Sequence, residues 1–468
     1  MQKAKGRLAV GVTLAATVAL LAGCGATDSP DPGDSSSGGD PITMWSLETE
    51  PYRLAIATKA AESFTAETGI DVKVVGVSEY QFSQVLTASA GAGTLPDVVG
   101  SLPLGAVSIM AGSELINTDA TVEVLEDLGA DTFSPAALAW VESDGKQVAI
   151  PSTGDAEQLM YRKDLFEKAG LEPPTTYETM KKAVETLSSS DMAGIVTQTD
   201  PASPSTGRIF EWVALANGCE LLDDTGKITI DSKACIGAFD FWGDLMQNYS
   251  VPGAQTTTTS KTSYMAGQAA MLTWSSLVMD EMAGLVNDAM PSCAECADDP
   301  QFISKNTGFV NALQGPDGKA PVEGGLVRSW VITSEASAAS SKQFVEYMMG
   351  DGYLDWLSQA PEGMYPQRLG TADNAEEFIE SWKTLETGVD TKASLPDLYP
   401  TDVLESIQHA TNNFNVWALK QGQGKLLGAA NTEMVIPKAL SALQSGEIDG
   451  KGAAEQVKQA LEAIQGSF

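Results

Sequence analysis

Residues 42–77, ITMWSLETEPYRLAIATKAAESFTAETGIDVKVVGV, decide the fold. Ile42–Leu47 is a short apolar run of strand length, Arg53–Thr68 repeats apolar residues at helical spacing and stops at Gly69, and Ile70–Val77 again reads as a strand. The alternation continues through QFSQVLTASAGAG (81–93), a second helix, into LPDVVG (95–100), a third strand entered through Pro96. Strand, helix, strand, helix, strand predicts a parallel sheet with helices on its faces. A ligand site is then expected outside the C-terminal ends of the strands, near Trp45 to Glu48 and near Gly100 to Leu104.

Further along, QVAIPSTGDAEQLMYRKDLFEKAG (147–170) reads as a strand, a polar turn, a second apolar segment and a helix ending at Gly170. TYETMKKAVETL (176–187) is a helix capped by Thr175 or Thr176. QAAMLTWSS (268–276) is a buried strand running into a polar loop, and GGLVRSWVIT (324–333) is another, followed by the helix SAASSKQFVEYMMG (337–350). The last third is mainly helical, and there is no internal repeat. A chain of 468 residues exceeds what one hydrophobic core usually fills, so two lobes are expected.

Composition narrows the chemistry. The net charge of −34 argues against nucleic acid, anionic lipid and anionic ligands as partners. The single histidine, His409, lies in the helical LESIQHATNNF, where a packing or surface role outweighs a catalytic one. The sequence holds no HExxH, GxSxG or phosphate-binding Walker loop. GAGTLP opens like a dinucleotide fingerprint, but Pro96 replaces the last glycine and the segment joins helix to strand. DDTGKITID lacks calcium-loop spacing, and with a single histidine and no cluster of ligand residues no metal and no cofactor is expected. Paired carboxylates for glycoside hydrolysis cannot be nominated among 62 acidic residues.

The N-terminal stretch carries Lys3, Lys5 and Arg7, then the apolar Leu8–Ala22, the layout of a secretion signal. Its LAGC ending resembles the lipobox of bacterial lipoproteins, which implies a signal over 1–23, lipidation of Cys24, and a Gly/Ser/Pro/Asp-rich leash over 24–40. The other four cysteines, Cys219, Cys235, Cys293 and Cys296, read as two disulfides in an oxidising compartment. Cys219 and Cys235 flank a turn, DDTGK, between expected strands, and their bridge would staple that excursion. CAEC (293–296) is either a small structural loop or a redox CxxC, and a four-cysteine zinc site is the remote alternative.

YRKDLFEKAGLEPPTTYETM (161–180) resembles the signature of the family 1 extracellular solute-binding proteins. GTLPDVV (93–99), YMAGQAAMLTWSS (264–276), GGLVRSWVITSEASAASSKQFVEYMM (324–349) and GMYPQR (363–368) extend the resemblance in one order over nearly the whole chain after the leash. Tyr177 stands where the family usually has tryptophan, and the cysteine pairs are not family features. The resemblance implies an α/β, two-lobed periplasmic-binding-protein-like clamshell of type II with the ligand cleft between the lobes. Lobe 1 would be 41–149 plus 327–360, and lobe 2 would be 150–326 plus 361–468. The chain would cross between them near 149–154, 326–330 and 361–366. It implies a monomeric, extracytoplasmic lipoprotein on the bacterial cell membrane that captures a mono- or oligosaccharide and delivers it to the transmembrane subunits of an ABC permease. The alternatives are a membrane-tethered carbohydrate-active enzyme, or a binder of a peptide or polyamine. Sugars offer apolar faces and many hydroxyls, so a site needs flat aromatic platforms and a few polar groups between them. Trp45, Trp274 and Trp330 are the expected platforms, with Asp155, Glu48, Ser101 and Arg368 as hydrogen-bonding partners and Asp97 as a structural carboxylate.

Overall fold

The computed structural model describes residues 39–143 and 145–467. The expected signal, Cys24 and most of the leash lie outside the described residues. The main sheet contains β1 (Ile42–Ser46), β2 (Val72–Gly76), β3 (Val98–Pro103), β4 (Ile150–Arg162), β5 (Met271–Ser275), β6 (Thr307–Val310), β7 (Val322–Ile332) and β8 (Tyr365–Pro366). Its order is β8-β4-β7-β3-β1-β2, with β5 and β6 pairing β4 beyond that path.

β1 pairs in parallel with both β2 and β3, as the opening stretch predicts. Helices α1 (Pro51–Thr68) and α2 (Phe82–Ala92) make the crossovers. Pro51 starts α1, where a missing N–H costs nothing, and Gly69 ends it at φ 75, a left-handed value open to a residue without Cβ. Asp97 is structural: its carboxylate accepts from the Thr43 amide (2.8 Å) and the Ser337 amide (2.8 Å), tying β1 and the helix Ala338–Met349 to the entry of β3.

The middle of the molecule departs from expectation. The predicted turn at PSTGD is absent, and β4 runs unbroken for 13 residues. β7 pairs antiparallel along the first half of β4 (Asp155 opposite Leu326, Gly154 opposite Val327), while β8 pairs its other edge (Gly154 opposite Tyr365). With both edges paired, the backbone is satisfied and the short side chains of Ser152, Thr153 and Asp155 are buried. The three segments expected to cross thus run side by side. β7 also pairs antiparallel with β3, where two residues of β7 step past three of β3. Ser101, at φ 60, lies within that irregularity.

Apolar side chains gather in distinct cores. Ile42, Phe64, Trp330, Phe344 and Trp356 fill one side of the β1–β3 region, and Trp45, Phe82, Leu102 and Leu104 fill the other. Phe210, Phe239, Trp242 and Trp417 centre a third, to which the C-terminal helix Gly450–Gln465 contributes Val457 and Leu461. Met160, Tyr264, Leu272 and Trp274 belong to a fourth. The segment 378–407 packs Phe378, Trp382, Tyr399 and Ile407 into the first of these.

Cys219 is bridged to Cys235 and Cys293 to Cys296. The first bridge ties the loop after α4 (Pro204–Ala216) to the first turn of the helix Lys233–Asn248. The strands expected beside it reduce to one bridge, Leu222 opposite Ile228, because Asp223 closes the turn through the amides of Thr225 and Lys227. The second bridge, its two cysteines buried, closes a largely exposed local loop around the turn Glu295–Ala297. Thr176 is the cap of the helix Tyr177–Leu187, in a reciprocal box with Thr179.

Candidate functional site

The C-terminal ends of β1 and β3 open onto a cleft. One compartment, about 740 Å³, is walled by Leu47 after β1, Phe82 and Thr87 of α2, Pro103 at the end of β3, Leu104, Ala106 and Ile109 of α3 (Leu104–Gly112), Glu211 and Trp212 of α4, Leu326 of β7, and Leu427 of α5 (Gly424–Thr432). A second, about 400 Å³, is bounded by Tyr52, Arg53, Gln198, Lys261, Trp274, Asp280 and Arg328. Glu79, Tyr80, Glu157, Pro204 and Arg208 line both, so the two compartments adjoin.

Beneath the second compartment lies a chain of ion pairs. Arg53 Nη1 sits 2.7 Å from Glu48 Oε2, and Glu48 Oε1 accepts from Ser101 Oγ at 2.6 Å. Arg328 approaches Glu48 Oε1 with Nε (3.7 Å) and donates through Nη1 to Asp155. Arg208 donates through Nε to Glu157 Oε1 (2.9 Å), with Glu79 Oε1 3.9 Å from its Nη1. Lys261 pairs with Glu281 at 2.5 Å and stands 5.5 Å from the centre of the Trp274 ring. Among the described residues, each lysine and arginine lining the cleft is therefore already matched by a carboxylate.

The acids divide into two kinds. Burial would raise Glu48, but Arg53, Arg328 and the Ser101 hydroxyl outweigh it and hold the carboxyl below its ordinary value. Glu157 goes the other way, since burial outweighs the help of Arg208. Burial also pushes Glu211 up to about 7, against the Trp417 amide that its carboxylate accepts from. Asp280 and Glu362 are raised as well, by burial first and then by neighbouring negative charge.

Of the seven residues expected to hold a ligand, Trp274 reaches the cleft wall. Glu48, Ser101 and Asp155 come together, but as the layer that holds Arg53 and Arg328; Asp155 is 1% exposed and lies behind Arg328. Trp330 is corrected outright. It is 0% exposed, wedged against Trp356 (4.7 Å between ring centres), and a Cβ on Gly100 would fall 2.5 Å from its ring. Arg368 is likewise a core residue, its guanidinium donating to the carbonyls of Met349 (2.6 Å) and Leu128 (2.9 Å) beside the Phe378 ring. Trp45 stands behind the wall, edge-on to Phe82 at 6.5 Å. His409 is exposed and pairs with Glu323 at 2.7 Å, outside both compartments.

The residues that do line the cleft, Arg53, Tyr80, Glu157, Arg208, Trp212 and Arg328, went unselected. Two had a readable signal: Glu157 shares a strand face with Asp155, and Arg328 shares one with Trp330. Arg208 and Trp212 lie in α4, and nothing local in the sequence marks them.

The sequence pattern of the bacterial extracellular solute-binding proteins matches residues 59–387, and the chain belongs to that family. YcjN of Escherichia coli (strain K12), provisionally named an ABC transporter periplasmic-binding protein, is 27% identical over 352 residues, 73% of this chain and 75% of its own. Among solved structures, maltose-bound MalE3 of T. maritima superposes with a TM-score of 0.70 at 18% identity, covering 91% of this chain and 100% of that one. Lmo0181 of Listeria monocytogenes, in complex with cycloalternan, gives 0.68 at 17% identity over 91% and 99%. The fold is thus the mixed α/β, two-lobed fold of solute-binding proteins. Proteins of this family bind small molecules outside the cytoplasm and deliver them to ABC permeases. Among the described residues no helix is long and apolar enough to cross a membrane.

Proposed function

We propose that the chain captures an uncharged sugar in the cleft, hands it to the transmembrane subunits of an ABC permease, and does not convert it. The observation that carries this reading is the matching of every lining cation by a carboxylate: a neutral polyhydroxylated ligand finds oriented donors and acceptors there, while an anion finds no free positive charge. Trp274 supplies a ring at the wall for an apolar sugar face. The maltose of MalE3 and the cycloalternan of Lmo0181 support the same class. In this reading lobe 1 is 41–149 with 327–360 and lobe 2 is 150–326 with 361–468. Residues 378–407 lean back onto the first lobe's core. Cys24 is the lipidated tether, which raises the receptor's effective concentration at its permease.

The test is calorimetry of the purified chain with mono-, di- and oligosaccharides, then chromatography of the same mixtures after long incubation. Binding with unchanged sugar supports the reading. Product formation would make the chain an enzyme, and silence toward sugars with a response to peptides or polyamines would replace the ligand. For the tether, Cys24→Ser is expected to leave the membrane fraction, and its retention there would refute lipidation as the anchor.

A further inference from the structure

The two compartments differ in chemistry where a simple sugar site would be uniform. The 400 Å³ compartment presents Arg53, Gln198, Arg328 and Trp274 and suffices for a small glycosyl unit, since ligand pockets run from about 300 to 1,000 Å³. The 740 Å³ compartment is larger, yet Leu47, Phe82, Leu104, Trp212, Leu326 and Leu427 form much of its wall. Gln84, Glu211, Asn415 and Asn431 also line it, but each hydroxyl of a further sugar ring pressed against the aliphatic stretch of Leu47, Leu104, Leu326 and Leu427 would forfeit its bonds to water without replacement. At the junction stands Tyr80, 51% exposed, one of two exposed large hydrophobics among the described residues and the one at the cleft. It faces both compartments, a placement suited to a ligand that changes character along its length.

Resting on the sugar-binding reading above, we infer that the ligand is an amphipathic glycoside. Its glycosyl head occupies the compartment of Arg328 and Trp274, and its alkyl or aryl aglycone fills the compartment of Phe82 and Leu427 past Tyr80. The driving force for the second half is the removal of apolar surface from water, about fourfold in Kd for each methylene buried.

The experiment is calorimetry of the full chain with methyl, butyl and hexyl glucosides and maltosides below micelle-forming concentration, alongside maltotriose. The readout is the slope of log Kd against chain length. Affinity is expected to rise about fourfold per methylene. In Ala106→Trp, which projects a ring into the apolar compartment from α3, the slope should fall toward zero. Thr87→Trp, from α2, repeats the test should the first variant fold poorly. Methyl and hexyl glycosides of equal affinity, a slope unchanged in the filled variants, or a gain with maltotriose and none with alkyl length would each overturn the inference while leaving the sugar reading intact. Silence toward sugars and glycosides alike would overturn both.

Discussion

β4 and β7 run side by side through the centre of the molecule in opposite directions, and each carries a pair of residues two apart that share a face: Asp155 and Glu157 on one, Arg328 and Trp330 on the other. On β4 the deeper member, Asp155, is sealed beneath Arg328, while Glu157 reaches the cleft. On β7 the deeper member, Trp330, is sealed against Trp356, while Arg328 reaches the cleft. Sequence reading selected the deeper residue both times. Because the strands are antiparallel, +2 on one and −2 on the other are the same displacement, one pleat of about 7 Å toward the cleft. Residue type and strand position tell which face a side chain takes. How far along the strand the solvent begins depends on what packs above it, here Phe344 and Trp356 over Trp330 and Arg328 over Asp155.

The sharpest way to break this comparison is to truncate the two tryptophans in parallel. Trp330→Ala should cost about 3–5 kcal/mol of stability, read by urea unfolding, because it empties a closed core. Any sugar affinity left in the folded fraction should be little changed. Trp274→Ala should also cost stability, since its ring is only 8% exposed within the fourth core, but unlike Trp330→Ala it should weaken sugar binding in the folded fraction about tenfold through the lost ring face. Exchanged outcomes would mean that Trp330, not Trp274, meets the ligand.

Next in size is the ion pair that joins the strands. Arg328→Met leaves Asp155 buried with no cation against it, and removing one partner of such a pair typically costs about 3 kcal/mol or more. Adding Asp155→Asn removes the stranded charge, so the double variant should recover much of that stability while staying defective in ligand binding. Recovery of binding along with stability would show that Arg328 does not itself touch the ligand.

What could be read from sequence follows the range of the forces involved. The β1–β3 half was legible because each crossover is local, with its start, apolar spacing and Gly69 stop all inside one stretch. The cysteine pairing was legible because both loops are short. The continuity of β4 was not, since PSTGD has turn composition and becomes strand through partners more than 170 and more than 200 residues away. The site fell between these cases. The strand ends that open onto it were placed correctly, but Arg208 and Trp212 reach it from a separate helix, and that meeting is purely tertiary.

The smallest effects separate the layer beneath the cleft from its wall. Glu48, in the paired layer, has its carboxyl held below its ordinary value of 4.5, so it contributes stability above that pH and loses it as the pH falls through the folded value. Glu211, at the wall, is pushed up to about 7, so between about 4.5 and 7 the folded chain keeps a proton that the unfolded chain has released. Its contribution is therefore largest in acid and is lost as the pH rises through 7. Glu48→Gln should destabilise evenly from pH 8 down to about 4.5, with the difference shrinking only below that pH. Glu211→Gln keeps an acceptor for the Trp417 amide and cannot ionise, so it should match the parent near pH 4 and be more stable by about 3 kcal/mol at pH 8. Thermal unfolding of the three proteins from pH 3 to pH 8 gives the curves: Glu48→Gln should fall below the parent by a margin that opens as the pH rises to about 4.5, and Glu211→Gln should rise above it by a margin that opens between about 4.5 and 7. If Glu211→Gln tracked Glu48→Gln instead, the Glu211 carboxylate would be charged and paired in the folded chain, and the apolar character assigned to that wall of the cleft would fail with it.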